Sequence, residues 1–154
     1  MAKDSVGLES AYRNAAIICG AMAASTVLYV VAVAVVSISE APFEGFAGQM
    51  PGLRIVLWTA AAFEAGLIGI VRRALLGSGR TGDADSQARR LVVTSIVTAA
   101  LAEVPAILGL VLFMLSGLRG DFYALFALSL ALLAIYFPKL DGWRQWAAEP
   151  ALGC

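Results

Sequence analysis

The chain contains 154 residues, of which 60% are hydrophobic and 14% are charged, and its mean hydropathy is +0.84. Soluble domains carry about 25% charged residues, so this composition excludes an ordinary soluble protein. The eleven basic and eleven acidic residues balance. The composition predicts an all-α protein integral to a membrane, with the lipid bilayer and not a nucleic acid as its partner.

Four apolar stretches are long enough to cross a bilayer, since a helix needs about 20 residues to span roughly 30 Å of hydrocarbon. Together with an interfacial tail over 139–154 they predict one domain, a four-helix transmembrane bundle. Asp4 and Glu9 precede the first stretch and no clear A-x-A-type cleavage site follows it, so we expect a retained span and not a signal peptide. The spans are predicted at about 14–37, 53–75, 91–116 and 121–138.

The basic residues predict the orientation, because Lys and Arg concentrate in cytoplasmic loops. Four spans place both termini on one side, and of the eleven basic residues only Arg54 and Arg119 fall on the other side. Both termini and the central loop are therefore predicted to be cytoplasmic, in a multi-pass protein of the cell membrane such as the inner membrane of a bacterium. The basic residues on this side are Lys3, Arg13, Arg72, Arg73, Arg80, Arg89, Arg90, Lys139 and Arg144.

The first two connections differ in character. Residues 77–88 are small, polar and rich in Gly, which predicts a solvated linker. Residues 37–52 carry Phe43, Phe46 and Met50 between two prolines. Because aromatic side chains favour the depth of the lipid headgroups, we expect this connection to lie along the membrane interface.

The last two segments are short. Residues 117–121 are few enough to force a tight antiparallel hairpin, in which we expect Asp121 to cap the fourth helix. After Pro138 the tail predicts a short amphipathic helix. Its Trp143 and Trp146 are predicted to anchor it at the cytoplasmic interface.

Pairs of small residues four positions apart predict close helix packing, because they let two backbones approach each other. They predict a tight bundle and leave open a homo-oligomer that uses the same surfaces. The pairs are Gly20 with Ala24, Ala21 with Ser25, Ala62 with Gly66, Ala65 with Gly69, Ala102 with Ala106 and Pro105 with Gly109.

The strongest functional candidate is Glu103, which lies near the middle of the third span with no basic residue within a dozen positions. Ionisable side chains at bilayer depth cost at least about 2.5 kcal/mol and mark ion or proton pathways. Glu64 lies about halfway along the second span. If these spans are antiparallel neighbours, the two acids are placed to share a proton or to flank one site.

The residues around Glu103 are predicted to support it. Ala99 and Ala106 lie one turn away on the same side of the helix, so another helix can approach the carboxyl. Pro105 removes a backbone N–H and frees the carbonyl of Leu101 beside the acid. The alternative is that each acid is a hydrogen-bonded packing residue, with partners among Ser25, Thr26, Tyr29 and Thr98.

Enzymatic and metal-binding functions find no support in the sequence. The chain has no His and only Cys19 and Cys154, and no cysteine pair or carboxylate cluster has the spacing of a metal site. No phosphate-binding loop, dinucleotide fingerprint or nucleophile elbow is present. We therefore expect no cofactor, no metal and no catalytic residue.

Residues 100–115, Ala-Leu-Ala-Glu-Val-Pro-Ala-Ile-Leu-Gly-Leu-Val-Leu-Phe-Met-Leu, resemble the carboxylate-bearing helix of the ATP synthase c subunit, the proteolipid of the rotor ring. The resemblance implies that Glu103 is an ion-binding carboxylate and that Gly109 belongs to the run that follows it. The predicted direction of the third span, outward from a basic cytoplasmic loop, agrees with that family.

Three functions are consistent with these features. The first is a c-subunit-like carrier or relay of protons or another cation in an oligomeric assembly, with Glu103 as the titrating group and Glu64 in support. The second is a non-catalytic scaffold or accessory subunit of a larger membrane complex. The third is a small exporter coupled to protons.

Overall fold

The computed structural model describes residues 2–40, 42–47, 51–77 and 84–148, and these form five α-helices and no strand. The first four helices are long and apolar enough to cross a membrane. The predicted all-α fold with four transmembrane helices is therefore confirmed. The helices are α1 (Ala2–Ser39), α2 (Pro51–Gly77), α3 (Ala84–Ser116), α4 (Arg119–Tyr136) and α5 (Leu140–Ala148).

Helix α3 extends further toward its N-terminus than the apolar pattern predicts. The predicted linker over 77–88 is wrong for its last part, because Ala84 to Ala88 already belong to α3. Once a helix has formed, it can extend through polar residues that flank its apolar stretch. Hydropathy alone therefore does not predict the first turn of α3. Residues 78–83, which include Arg80, and Met50 of the first connection lie outside the described residues.

Helix α3 is the centre of the bundle. It packs against α1, α2 and α4, whereas α1 and α2 share no extensive interface with each other. Of the most apolar window in each helix, 44% of the residues are buried in α3 but only 11% in α1 and in α2. Three helices thus surround α3 on three sides.

The fourth side of α3 is uncovered. Four apolar residues at helical spacing, Val93, Ala100, Ile107 and Val111, are exposed there, and we call this stripe the open face of α3. Their positions fall within about 40° of one another around the helix axis. Because α1 and α2 flank this stripe without meeting, the open face is the floor of a groove between them, the α1–α2 groove.

The contact between α3 and α4 depends on Gly109. A Cβ at this position would lie 3.1 Å from the Cβ of Leu125 and 3.3 Å from the backbone oxygen of Phe122. Serine 129 adds a hydrogen bond from its hydroxyl to the carbonyl of Ala102, at 2.7 Å. The predicted small-residue packing is therefore found in α3, whose Ala102, Pro105, Ala106 and Gly109 are all buried.

Replacing Gly109 by Ala is expected to destabilise the bundle by about 1–3 kcal/mol, because overpacking forces helices apart. The matched control is Gly66→Ala on α2, where a Cβ would meet nothing within 4 Å. That change should leave stability unchanged or slightly raised, since Ala favours helix over Gly. Denaturant titration of both variants in detergent micelles, followed by circular dichroism, measures the difference. Equal stabilities would contradict the close α3–α4 contact.

At the end of the bundle opposite the termini, the first connection packs onto α3. Phe43 lies 5.1 Å from Phe113, centroid to centroid, and the backbone N–H of Phe46 donates to the carbonyl of Met114 at 3.0 Å. Phe43 is half-buried, while Phe46 is 80% exposed, and the position of this connection along the membrane interface stays a prediction. Aromatic content does not show that a loop can dock on a neighbouring helix end.

At the end that holds both termini, α5 folds back against the bundle. Trp143 is only 5% exposed and packs with Ala15 and Leu91, and its ring meets that of Tyr12 edge-on at 5.6 Å. The predicted anchoring of Trp143 among lipid headgroups is therefore wrong, because its side chain belongs to the core. The side chain of Trp146 lies outside the described part of the chain.

Candidate functional site

The carboxyl of Glu103 is held from α1. The hydroxyls of Ser25 and Tyr29 both donate to its Oε1, at 2.9 Å and 2.7 Å. The two donors are four residues apart and lie one above the other on α1. This arrangement fixes the carboxyl at the boundary between α1 and α3, with Glu103 only 9% exposed.

The second oxygen of the carboxyl, Oε2, differs from the first. No hydrogen bond to it comes from any residue that the structure describes. It is also not enclosed, because Ser37 Oγ is the sole fully buried side-chain polar atom without a partner in the described ranges. Oε2 therefore retains some accessible surface.

Glu103 lies on the side of α3 that leads to the groove. Counting 100° per residue, its position falls between Ala99, which lies in the core shared with α1, and Ile107 of the open face. Ser25 and Tyr29 in turn occupy one edge of the buried face of α1 that contains Thr26 and Val33. The carboxyl is thus at the border of the α1–α2 groove.

Glu64 lies at the same depth as Glu103. Ile68 and Ala99 belong to one core cluster, and α2 and α3 run in opposite directions. Glu64 lies four residues before Ile68, and Glu103 lies four residues after Ala99. In antiparallel helices these two steps lead to the same depth in the bundle. The prediction that the two acids lie at one depth on neighbouring antiparallel helices is consistent with this register.

Glu64 is on the groove side of α2. Trp58 and Gly69 mark the opposite edge, because the indole N–H of Trp58 donates to Asp121 of α4 at 3.0 Å and a Cβ at Gly69 would lie 3.9 Å from the Tyr136 hydroxyl. Glu64 is about 120° to 140° around the helix from both and is half-buried. No hydrogen bond between described residues joins the two carboxyls, so they flank the groove without direct contact.

The hydroxyl partners named for the acids divide into two groups. Ser25 and Tyr29 bond Glu103, as the alternative reading of the sequence proposes. Thr26 and Thr98 do not, since each donates to the carbonyl four residues before it in its own helix, at 3.0 Å and 2.6 Å. Such bonds within one helix are a common use of Thr.

The residues that were predicted to support Glu103 lie on several faces of α3, and only some of them are near the acid. Ala99 and Ala106 are buried and lie toward α1, where they let that helix approach Glu103. Pro105 and Gly109 lie on other sides of α3, and Gly109 serves the contact with α4. Leu101, whose carbonyl Pro105 frees, is about 160° from Glu103 around the helix, so the expectation of an extra polar atom beside the acid is wrong.

A buried acid that sequence reasoning assigned differently is Asp121. Its carboxylate forms an ion pair with Arg54, with Nε to Oδ2 and Nη2 to Oδ1 both 3.0 Å, and also accepts from Trp58. Helix α4 has no side-chain cap and Leu118 is its N-cap residue, so the predicted capping by Asp121 is wrong. The sequence did contain a signal for this ion pair, because Arg54 and Asp121 have opposite charges and lie at the same end of two predicted spans.

The described site consists of one carboxyl with two hydroxyl partners from α1. No group of three metal-ligating side chains is found among residues 2–40, 42–47, 51–77 and 84–148. No protein-family model, curated protein or solved structure matches the chain.

Proposed function

We propose that this protein binds and releases a proton, or another monovalent cation, at Glu103 from the α1–α2 groove, as a c-subunit-like membrane protein in an oligomeric assembly. The observation that carries the proposal is the unequal treatment of the two carboxyl oxygens. Oε1 accepts two hydroxyl hydrogen bonds, and Oε2 accepts none from the described residues and is not fully enclosed. A group arranged in this way is anchored at one oxygen and available at the other.

The Ser25 hydroxyl supports both protonation states of the acid. Its Oγ lies 2.9 Å from Glu103 Oε1 and 2.7 Å from the backbone oxygen of Met22, but a hydroxyl has one hydrogen to donate. When Glu103 is ionised, Ser25 donates to it. When Glu103 takes up a proton at Oε2, its Oε1 can still accept from Ser25 and Tyr29. Ser25 can donate either to Glu103 or to Met22 by a turn of its hydroxyl, so proton exchange needs no backbone rearrangement.

Glu64 and the surroundings of the groove add to this argument. A second carboxyl, that of Glu64, lies across the groove, and Ala100 and Ile107 of its floor are apolar. The resemblance of residues 100–115 to the c subunit also supports an ion-binding role for Glu103. We further propose that both termini are cytoplasmic and that the protein resides in the cell membrane, as the distribution of basic residues favours.

Carbodiimide labelling tests the proposal, because this reagent reacts with a protonated carboxyl in an apolar setting. We expect Glu103 to be labelled in native membranes and the labelling to fade as the pH rises, with peptide mass spectrometry as the readout. Glu40, which is exposed beyond the end of α1, is the reference for an ordinary surface acid. Failure of Glu103 to react at any pH in folded protein would contradict an accessible titrating group.

A second candidate, a scaffold or accessory subunit of a larger membrane complex, is favoured by the open face of α3. Three sides of that helix are covered by protein, and one further transmembrane helix of about 10 Å diameter fits on the fourth. A scaffold predicts that Glu103→Gln alters assembly, seen as a changed mass in native gels. It also predicts that ion movement does not depend on this residue.

A further inference from the structure

The two arginines that depart from the charge pattern of the chain meet at one place. Arg54 and Arg119 are the basic residues assigned to the side opposite the termini, and both line a single cavity of about 570 Å³. The cavity lies where α2 and α4 begin, beside Phe43 of the first connection. Two arginines that are far apart in the sequence thus line one cavity at the end of the apolar helices.

Hydrogen-bond donors remain available on both arginines. Arg54 uses Nε and Nη2 for Asp121, which leaves its Nη1 group. Arg119 donates from Nη2 to the backbone oxygen of Ser37 at 3.3 Å, which leaves Nε and Nη1. Planar guanidinium groups with free N–H bonds match the oxygens of a phosphate.

The charges of the cavity balance when one monoanion is added. Arg54 and Arg119 contribute two positive charges and Asp121 contributes one negative charge, so one positive charge is in excess. The first turn of α4 also opens onto the cavity through Gly120, and that helix end has no side-chain cap. Its free N–H groups and the helix dipole favour an anion at the same place.

The surroundings indicate that the anion belongs to a lipid. Exposed apolar side chains follow the outer surface of α2 beyond Arg54, where Ile55, Phe63 and Ile70 are 67%, 72% and 64% exposed. Phe46, 80% exposed, lies in the connection at the same end of the bundle. Exposed aromatic residues are typical of headgroup depth. A lipid can place its phosphate between the arginines of the cavity and its acyl chains against the exposed apolar side of α2.

We propose that this cavity binds the phosphodiester of an anionic phospholipid, with Arg54 and Arg119 as its ligands and the acyl chains along α2. The site is separate from Glu103 and does not depend on the function proposed for that residue. Arg119 is the residue to change, because Arg54 also maintains the ion pair with Asp121.

Native mass spectrometry of the detergent-solubilised protein tests the site with phosphatidylglycerol as the probe. We expect one molecule bound per chain and affinity reduced about fivefold in Arg119→Gln. Arg73→Gln, which removes an exposed arginine at the other end of α2, should bind like the wild type. Diacylglycerol, which lacks the phosphate, should not be retained.

Two results would overturn the proposal. Equal retention of phosphatidylglycerol by Arg119→Gln and wild type would show that the cavity is not the site, provided that circular dichroism shows the variant to be folded. Displacement of the lipid by millimolar inorganic phosphate would assign the cavity to free phosphate in place of a lipid. Lipid that stays bound in phosphate buffer and is lost in the Arg119 variant supports it.

Discussion

The Glu103→Gln variant is expected to lose proton or cation uptake, down to the level of protein-free vesicles. Gln keeps the size of the side chain and can still accept from Ser25 and Tyr29, but it does not take up a proton at bilayer depth. The measurement is potential-driven uptake into proteoliposomes that contain the protein at fixed density. Glu40→Gln makes the same chemical change outside the spans and should leave uptake unchanged.

Two further variants locate the effect in the site. Tyr29→Phe removes one of the two hydrogen bonds to Oε1 and is expected to reduce uptake about tenfold, since a hydrogen bond to a charged group contributes about 1.5–3 kcal/mol. Glu64→Gln should reduce uptake less than Glu103→Gln, because Glu64 lies across the groove and is not bonded to Glu103. Uptake that persists in Glu103→Gln would favour the scaffold, in particular if native gels show a changed assembly.

The spans and the position of Glu103 were predictable because each depends on a property of one segment. A length of about 20 apolar residues determines whether a helix crosses the bilayer, and an acid in such a segment is conspicuous. The partners of Glu103 were predictable only as a set. Ser25, Thr26, Tyr29 and Thr98 are all hydroxyls at a similar depth, and the rotation of α1 against α3 decides between them.

Features that require knowledge of how the helices are arranged were not predictable. The sequence does not show that α3 lies between the other three helices, so neither the open face nor the α1–α2 groove follows from it. Trp143 illustrates the same limit. Its amphipathic segment fits an interfacial anchor equally well, and only the fold of α5 against α1 and α3 buries the ring.

Gly117→Ala is expected to destabilise the protein by about 2–4 kcal/mol, an unusually large effect for one methyl group. Gly117 has φ +70°, a conformation that costs a residue with a Cβ about 1–2 kcal/mol. In addition, that Cβ would lie 2.7 Å from the backbone oxygen of Phe43 and 2.8 Å from the carbonyl carbon of Glu44. Backbone atoms on both sides cannot move aside as a flexible side chain can.

Gly120→Ala is the matched control for Gly117→Ala, since it lies three residues away and its Cβ would meet nothing within 4 Å. Thermal unfolding in detergent should show a lower midpoint for Gly117→Ala alone. The clash involves the connection that holds Phe43 against Phe113, so limited proteolysis should cut residues 42–47 faster in this variant. A normal midpoint with faster cutting would mean that the connection detaches without cost to the bundle, contrary to the docking seen in the structure.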